Sequence, residues 1–320
     1  MESLTEQIKE ILLKSKKILL TIHINPDGDA LGSMLGLYDA LTRHFGLDVS
    51  MATNGLMPKT FLYLPYYFKI QDGFEPQNFD TVVLLDCGGW TRTGWFDSDE
   101  LNIAWPNNLI VIDHHATLTL TPGLHYLGPA TSSTSEMVYG LLKAWGVPVN
   151  KEIATCLLTG ICFDTGSFQH VNTSEKTLRI AADLMQVGAN LPMIAQKMYV
   201  GKSIGRLKLW GIVLQRMRYD ETSGITMSAI TQEDMEATGT TKEDAEGLVN
   251  LMNTVPGLKF SLLLSETPDG DVKGSLRTQS EQVDVGKLAQ FMGGGGHARA
   301  AGFLLPVDID TQDKAGWKIV

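Results

Sequence analysis

Residues Lys17–Ser33 read KILLTIHINPDGDALGS. The first half, KILLTIHI, is an apolar run of strand length. Pro26, Asp27 and Gly28 supply turn chemistry, and from Asp29 apolar residues recur at helical intervals to Phe45, with Gly46 as a stop. A strand passed through a short turn into a helix is the opening of a parallel βαβ arrangement. The same turn carries His23, Asp27 and Asp29, more titratable side chains than a turn needs.

The pattern repeats on either side. Leu4–Leu13 has the spacing of an amphipathic helix. TVVLL (Thr81–Leu85) runs into Asp86 and two glycines, and LIVI (Leu109–Ile112) runs into Asp113, His114 and His115. Continuous apolar runs of this kind suit central parallel strands covered on both faces. Ser133 with Glu136 reads as a capping box before a helix to about Trp145. Asn150 is placed to cap a helix that carries Cys156 and Cys162 and ends at FDTG, and Asn172 with Glu175 to open another, to about Val187. Residues 1–188 thus predict an α/β domain, a parallel sheet with helices on both faces. The pattern loosens over a connector, 189–215, with a helix expected from Lys208 to Arg218. A smaller α/β domain follows over 216–320. It has strand-like GITMSAI, a helix over Lys242–Asn253, strand-like LKFSLLLSE and DVKGSLRT, and finally GGGGHARAAGF.

Composition narrows the partners. A chain of 320 residues has the length of two domains. Its net charge of −10 argues against long duplex nucleic acid, which demands many phosphate-neutralising cations. It leaves room for a short anionic substrate held by a few local cations or by metal ions. The three cysteines form no C-x-x-C pair and read as buried thiols of a reducing compartment. The N-terminal stretch lacks a signal-peptide core, and no apolar run approaches the ~20 residues of a membrane span. The expectation is a cytoplasmic protein that engages no membrane.

Each apolar run of the first domain ends on polar residues: His23, Asp27 and Asp29, then Asp86, then Asp113, His114 and His115. Asp164 stands at the end of a helix. Ligands of open α/β sheets bind beyond the carboxyl ends of the strands, where such residues converge. Taken singly, each has an ordinary reading. Asp29 is a helix N-cap, Asp27 a turn residue, Asp86 a strand-end residue, His114 and His115 loop histidines, and Asp164 a helix-end acid slightly opposed to the dipole. Taken together, the carboxylates would repel, and two divalent cations would balance four of them. Imidazoles among the ligands shift the preference from pure Mg²⁺ or Ca²⁺ cages toward Mn²⁺, Fe or Zn²⁺. We favour Mn²⁺, with Mg²⁺ or Co²⁺ as substitutes. The four glycines Gly293–Gly296 read either as a hinge or as backbone that approaches an anion closely, with Arg277 and His297 supplying positive charge.

HINPDGDALGS, LLDCGG, DHH and FDTGSF occur in the order of the four motifs of the DHH phosphoesterase superfamily. GGGGHARAAGF resembles the signature of the accompanying DHHA1 domain. The likeness spans nearly the whole chain, and its size resembles the bacterial nanoRNase group, which acts as oligoribonuclease and as 3′-phosphoadenosine-5′-phosphate (pAp) phosphatase. The resemblance implies an active site in the cleft between the two domains, suited to short single-stranded RNA or DNA or a nucleotide. It implies two metals. His23, Asp27 and Asp86 would hold one; Asp29, Asp86, His114 and Asp164 would hold the other, with Asp86 bridging. Asp113 would orient a ligating histidine, and His115 would face the substrate phosphate or the leaving oxygen. Arg92 would face phosphate, its ordinary reading being a surface arginine. Arg277, His297, Gly294, Gly295 and Gly296 would meet the terminal phosphate or sugar. Hydrolysis by a water shared between the metals is the expected chemistry. A cyclic- or linear-dinucleotide phosphodiesterase is the alternative. An RNA-binding module without catalysis is a second, against which the intact acidic motifs weigh. A homodimer is expected, with no motif of its own behind it.

Overall fold

The computed structural model describes residues 3–55, 57–94, 107–115, 122–199, 203–296, 298–310 and 317–319. They form two compact units, Met1–Val200 and Gly201–Val320. No described helix is long and apolar enough to cross a membrane.

The described strands of the first unit are β1 (Ile18–Thr21), β2 (Val49–Thr53), β3 (Gln71–Asp72), β4 (Thr81–Leu85), β5 (Asn108–Asp113) and β6 (Leu124–Leu127). They pair in the order β3-β2-β1-β4-β5-β6, every pair parallel. The order reverses at β1/β4, so the ends of these two central strands flank a crevice of the kind in which doubly wound sheets bind ligands. The helices are α1 (Leu4–Lys14), α2 (Gly28–Asp39), α3 (Thr134–Ala144), α4 (Lys151–Asp164), α5 (Glu175–Val187) and α6 (Leu191–Tyr199). One sheet face, with Ile18, Leu20, Val83, Leu85, Ile110 and Ile112, shares a core with Ile8, Leu31, Val138, Leu157, Leu184 and Ile194 of these helices.

Residues of the other sheet face form a second cluster. Leu19, Val82, Leu84, Leu109 and Val111 are buried against Trp90, Phe74 and Phe79, and no described α-helix contributes to that cluster. A continuous apolar run reports that both faces of a strand are covered, not what covers them.

Local corrections follow the same logic. Ser133 caps α3 by accepting from the Glu136 N–H at 3.0 Å, but the Glu136 carboxylate does not return the bond. Its Oε2 accepts from the Ser132 hydroxyl at 2.7 Å and the Thr177 hydroxyl at 2.9 Å. The helix expected to open at Asn172 is capped by Ser174, in a reciprocal box with Thr177. Asn172 instead donates to the carbonyls of Ser132 and Asp164, at 3.0 and 3.3 Å.

The second unit opens with α7 (Ile204–Gln215), whose Leu209 and Val213 are buried in that unit's own core. Within the stretch 189–215, α6 packs in the first unit's core and α7 in the second's. Strands β7 (Arg218–Asp220) and β8 (Ile225–Ile230), helices α8 (Gln232–Thr238) and α9 (Leu248–Met252), strands β9 (Phe260–Glu266) and β10 (Val272–Arg277), helix α10 (Val285–Phe291) and strands β11 (Gly295–Gly296) and β12 (Ala300–Leu305) follow. They form a mixed sheet in the order β11-β12-β10-β9-β8-β7. Its one parallel pair is β8/β9. The helix expected over Lys242–Asn253 is broken: a 3-10 turn covers Lys242–Ala245, and α9 starts only after Gly247, whose φ of 82° no regular helix accommodates. Helices α7, α8 and α9 pack on one face of the sheet, and α10 on the other.

Candidate functional site

The strand ends of the first unit bring the expected polar residues together. His23 lies two residues past β1 and is nearly buried. Its Nδ1 is 2.8 Å from the carbonyl of Ile24 and donates to it, which turns Nε2 toward the carboxylates. Nε2 faces Asp27 Oδ2 at 3.8 Å and Asp86 Oδ2 at 3.9 Å. Asp27 has both its ordinary role and a spare atom. Its Oδ1 caps α2 by accepting from the Asp29 and Ala30 N–H groups at 2.9 and 3.0 Å, which leaves Oδ2 turned toward His23.

Asp29 is fully buried, and it caps a helix other than its own. Its Oδ2 accepts from the Thr134 N–H at 2.6 Å and its Oδ1 from the Ser135 N–H at 2.9 Å, so it neutralises the first turn of α3. Thr134 also donates its hydroxyl to Asp86 Oδ1 at 3.1 Å. Thr134 and Ser135 are functional neighbours that sequence reasoning missed. The SSTSE stretch announces a helix start, but not which carboxylate will sit on it.

Asp86 follows β4 with φ at 57°, a left-handed conformation that aspartate tolerates better than most side chains. Burial, and then the charges of Asp29, Asp27, Asp164 and Asp113, push its carboxyl well above the usual range. Asp164 ends α4. Burial and the Asp29 charge raise it to about 8, although His114 donates to it. His114 Nε2 lies 3.1 Å from Asp164 Oδ2, 3.5 Å from Asp86 Oδ1 and 4.0 Å from Asp29 Oδ2. Burial opposes charge on this ring, yet the bond to Asp164 and the nearby carboxylates raise it to about 9.

Asp113 serves the other histidine. Its Oδ1 accepts from His115 N at 2.8 Å and Nδ1 at 2.7 Å, and its Oδ2 from the Gly88 N–H at 2.5 Å. Burial works against its charge, but these bonds hold the carboxyl below its ordinary value. His115 Nδ1 is therefore a proton donor to Asp113, 3.5 Å from Asp86 Oδ1. Arg92, in the 3-10 turn Trp90–Thr93, is exposed; its carbonyl accepts from Ile24 N at 2.9 Å, which ties its turn to the His23 loop.

Three sets of donor atoms result, each within 4.8 Å: His23, Asp27 and Asp86; Asp29, His114 and Asp164; and Asp86, His114 and His115. Ligand atoms 3.1–4.0 Å apart suit a cation between them, since ligands about 2.0–2.2 Å from a common ion stand roughly 3–3.5 Å from one another and small side-chain shifts close the difference. The donors are oxygens and imidazole nitrogens. The thiol next to Asp86, Cys87, is buried in the aromatic-covered cluster on the far sheet face. The residues present therefore fit a divalent metal of the hard or borderline class.

Glycines let the carboxylates meet. Gly28, Gly32 and Gly36 lie one turn apart on α2 and face α4. A Cβ at Gly32 would stand 2.5 Å from the Cys156 carbonyl, and one at Gly160 2.6 Å from Asp29 Oδ1 and 2.0 Å from Ser135 Oγ. This close approach of α2, α3 and α4 draws Asp29 toward Asp164.

In the second unit, Arg277 ends β10. Its Nε donates to Asn250 Oδ1 at 2.9 Å and its Nη1 to the Leu276 carbonyl at 2.8 Å, and burial lowers its pKa. A pocket of about 550 Å³ is lined by Lys273, Ser275, Arg277, Gly295 and residues 300–304. Gly294 and Gly296 press on β12: a Cβ at Gly294 would stand 2.1 Å from the Gly302 carbonyl, and one at Gly296 2.5 Å from Ala301 Cα. Gly295 has no such packing reason, since a Cβ there would meet nothing within 4 Å. The expected residue His297 lies outside the described residues.

Comparison with known proteins agrees with this geometry. The DHH family N-terminal domain matches residues 17–161, and the DHHA1 domain residues 224–314. The chain is 33% identical over 296 residues to the bifunctional oligoribonuclease and PAP phosphatase NrnA of Thermus thermophilus, covering 92% of this chain and 86% of that one. It is 28% identical over 302 residues to the Bacillus subtilis protein of the same name, covering 93% and 92%. The crystal structure of an exopolyphosphatase-related protein from Bacteroides fragilis matches with a TM-score of 0.86 at 29% identity, over 94% of this chain and 90% of that one. With an acid- and histidine-lined crevice at the ends of a parallel sheet and both domains in order, the chain belongs to the DHH–DHHA1 family of phosphoesterases, enzymes that hydrolyse phosphate esters.

Proposed function

We propose that this protein is a cytoplasmic enzyme that degrades short single-stranded oligonucleotides and removes the 3′-phosphate of pAp, with two Mn²⁺ ions as its cofactor. The observation that carries the reading is the convergence of His23, Asp27, Asp29, Asp86, His114 and Asp164, from distant parts of the chain, into sets with donor atoms within 4.8 Å. His23, Asp27 and Asp86 would hold one ion, and Asp29, Asp86, His114 and Asp164 the other. When bound, such a pair supplies a water acidic enough to attack phosphorus near neutral pH and neutralises charge on the phosphoryl oxygens.

The remaining roles belong to this chain's own groups. Backbone N–H groups hold Asp27 through Oδ1 and Asp29 through both oxygens, so the spare Oδ2 of Asp27 and the remaining lone pairs of Asp29 keep a fixed direction. Asp113 fixes the ring of His115 through Nδ1, and His115 delivers a proton to the departing oxygen. Arg277, Gly294, Gly295, Gly296 and His297 hold the terminal phosphate or sugar, and Arg92 meets phosphate from the His23 side. Residues 1–188 thereby carry the chemistry and 216–320 the grip on the substrate, joined by 189–215. A homodimer is part of the proposal, and sedimentation of the purified protein tests it.

The experiment that tests the main reading offers the purified protein, with Mn²⁺, Mg²⁺ or Co²⁺, a set of substrates: pAp, linear and cyclic dinucleotides, a pentanucleotide, a long RNA and pyrophosphate. Fastest turnover of the pentanucleotide and pAp with Mn²⁺ is expected. Preference for pyrophosphate, for cyclic dinucleotides or for the long RNA would replace the reading, and binding without turnover would make the protein an RNA-binding module.

A further inference from the structure

The pocket of the second unit is longer than the grip assigned to Arg277 requires. Lys273, Ser275 and Arg277 alternate along β10 on one face, and register places Leu304, Gly302 and Ala300 opposite them on β12. Gly295 of β11 pairs with Gly302 in turn. On the other side of β10, Ser275 pairs with Leu263, which is buried under α7, α8 and α9. The helices thus cover the β8–β9 half of this face, and the pocket occupies the β10–β12–β11 half.

The open half has a definite chemistry. Its two ends carry cations, Arg277 and Lys273, and none of the lining residues is acidic, in a chain of net charge −10. Its middle is floored by Gly302 and Gly295, with no side chain to keep a ligand off the backbone. Beside Lys273, Leu304 is 53% exposed and offers apolar surface to a base or ribose. Arg277 is anchored by Asn250, whereas Lys273 is exposed and enters no ion pair among the described residues. A rise of four residues along the strand sets the two Cα atoms about 13–14 Å apart. The two phosphates of pAp sit on one nucleoside, whereas a chain of several nucleotides carries phosphates spaced along the direction in which these two residues follow one another.

We infer that this half-sheet is a short oligonucleotide track, in which Lys273 holds a phosphodiester beyond the terminal nucleotide and so selects chains over pAp. The inference rests on the substrate reading above and adds a determinant of length to it.

The test compares wild type, Lys273→Gln and Lys273→Arg on pAp, a trinucleotide and a pentanucleotide with Mn²⁺ present. The ratio of kcat/KM for the pentanucleotide to that for pAp is expected to fall about tenfold in Lys273→Gln, the effect of losing one charge-assisted contact. The loss should lie in KM. The slope of log KM against log salt should shrink by about 0.7, as for one phosphate contact on a single strand. Lys273→Arg should restore most of the ratio. An unchanged ratio, or equal losses on both substrates, overturns the inference. A wild-type protein that fails on the pentanucleotide overturns the substrate reading beneath it instead.

Discussion

Asp29 and Lys273 are held in place in two different ways. Asp29 is fully buried and takes the backbone N–H groups of Thr134 and Ser135, more than a hundred residues away in the chain. Lys273 is exposed on a sheet face and is placed by register alone. Around Asp29 almost every side chain has two duties: Asp27 caps α2, Thr134 starts α3 and donates to Asp86, and Asp113 anchors Gly88 while holding His115. Around Lys273 the floor is glycine. Burial opposes concentrated negative charge, so these carboxylates are held in place by the hydrogen bonds and close helix packing around them. A surface for a flexible phosphate chain needs only spacing and room.

If this contrast is right, damage to the first region should be large and should register in stability as well as in turnover. Asp86→Asn keeps the shape and the left-handed backbone but removes the charge common to two of the three donor sets. Turnover should fall by at least about 10³-fold with metal present, as befits lost metal-assisted charge stabilisation. The metal-free variant should melt higher than metal-free wild type, because one buried, repelled carboxylate is gone. Calorimetry in chelator checks this, and a lower melting point would mean that the charge is compensated without metal.

Next in size is Gly160→Ala. A methyl group 2.0 Å from Ser135 Oγ and 2.6 Å from Asp29 Oδ1 must push the carboxylate off the start of α3. We expect a stability loss of about 1–3 kcal/mol and about a 10²-fold drop in turnover, read by denaturation and steady-state kinetics. Arg277→Ala tests the other side. It should lower kcat/KM about 10–100-fold, as for one lost charge-assisted bond, and leave metal affinity by titration calorimetry as in wild type.

The smallest effect is that of pH on the metal-free fold. Asp164 rises from 3.8 to about 8 and His114 from 6.5 to about 9 on folding. Both bind more protons folded than unfolded within those intervals, so stability is greatest at the acid end and falls as pH rises through them. Between pH 6 and 9 in chelator, the Tm should fall steadily, by several degrees. Added Mn²⁺ should reverse the trend, since the ligands bind it deprotonated. A flat profile would show that the carboxylates are not crowded in solution.

What sequence made legible follows the same division. The strands of the first sheet and the acids at their ends are local signals, and TVVLL-D and LIVI-D-H-H carry them in a handful of residues. Partners set by tertiary contact were invisible: α3 resting on Asp29, Asp113 bonded to His115, and the Gly28, Gly32, Gly36 and Gly160 surfaces that bring the helices close. Competing caps misled, since Asn172 and Ser174 are both good cap residues and only the packing of Thr177 against Glu136 chooses between them. In the second unit, Lys273 was overlooked because an exposed lysine on a strand has no signature until the register of β12 shows what lies beside it.

The left-handed backbone of Asp86 has a consequence for how this protein can vary. At φ of 57°, most side chains crowd the main chain, and glycine, asparagine and aspartate are the comfortable occupants. Glycine brings no ligand and asparagine no charge. The fold therefore narrows the alphabet at the heart of the site before catalysis imposes any demand, and drift there has almost nowhere harmless to go.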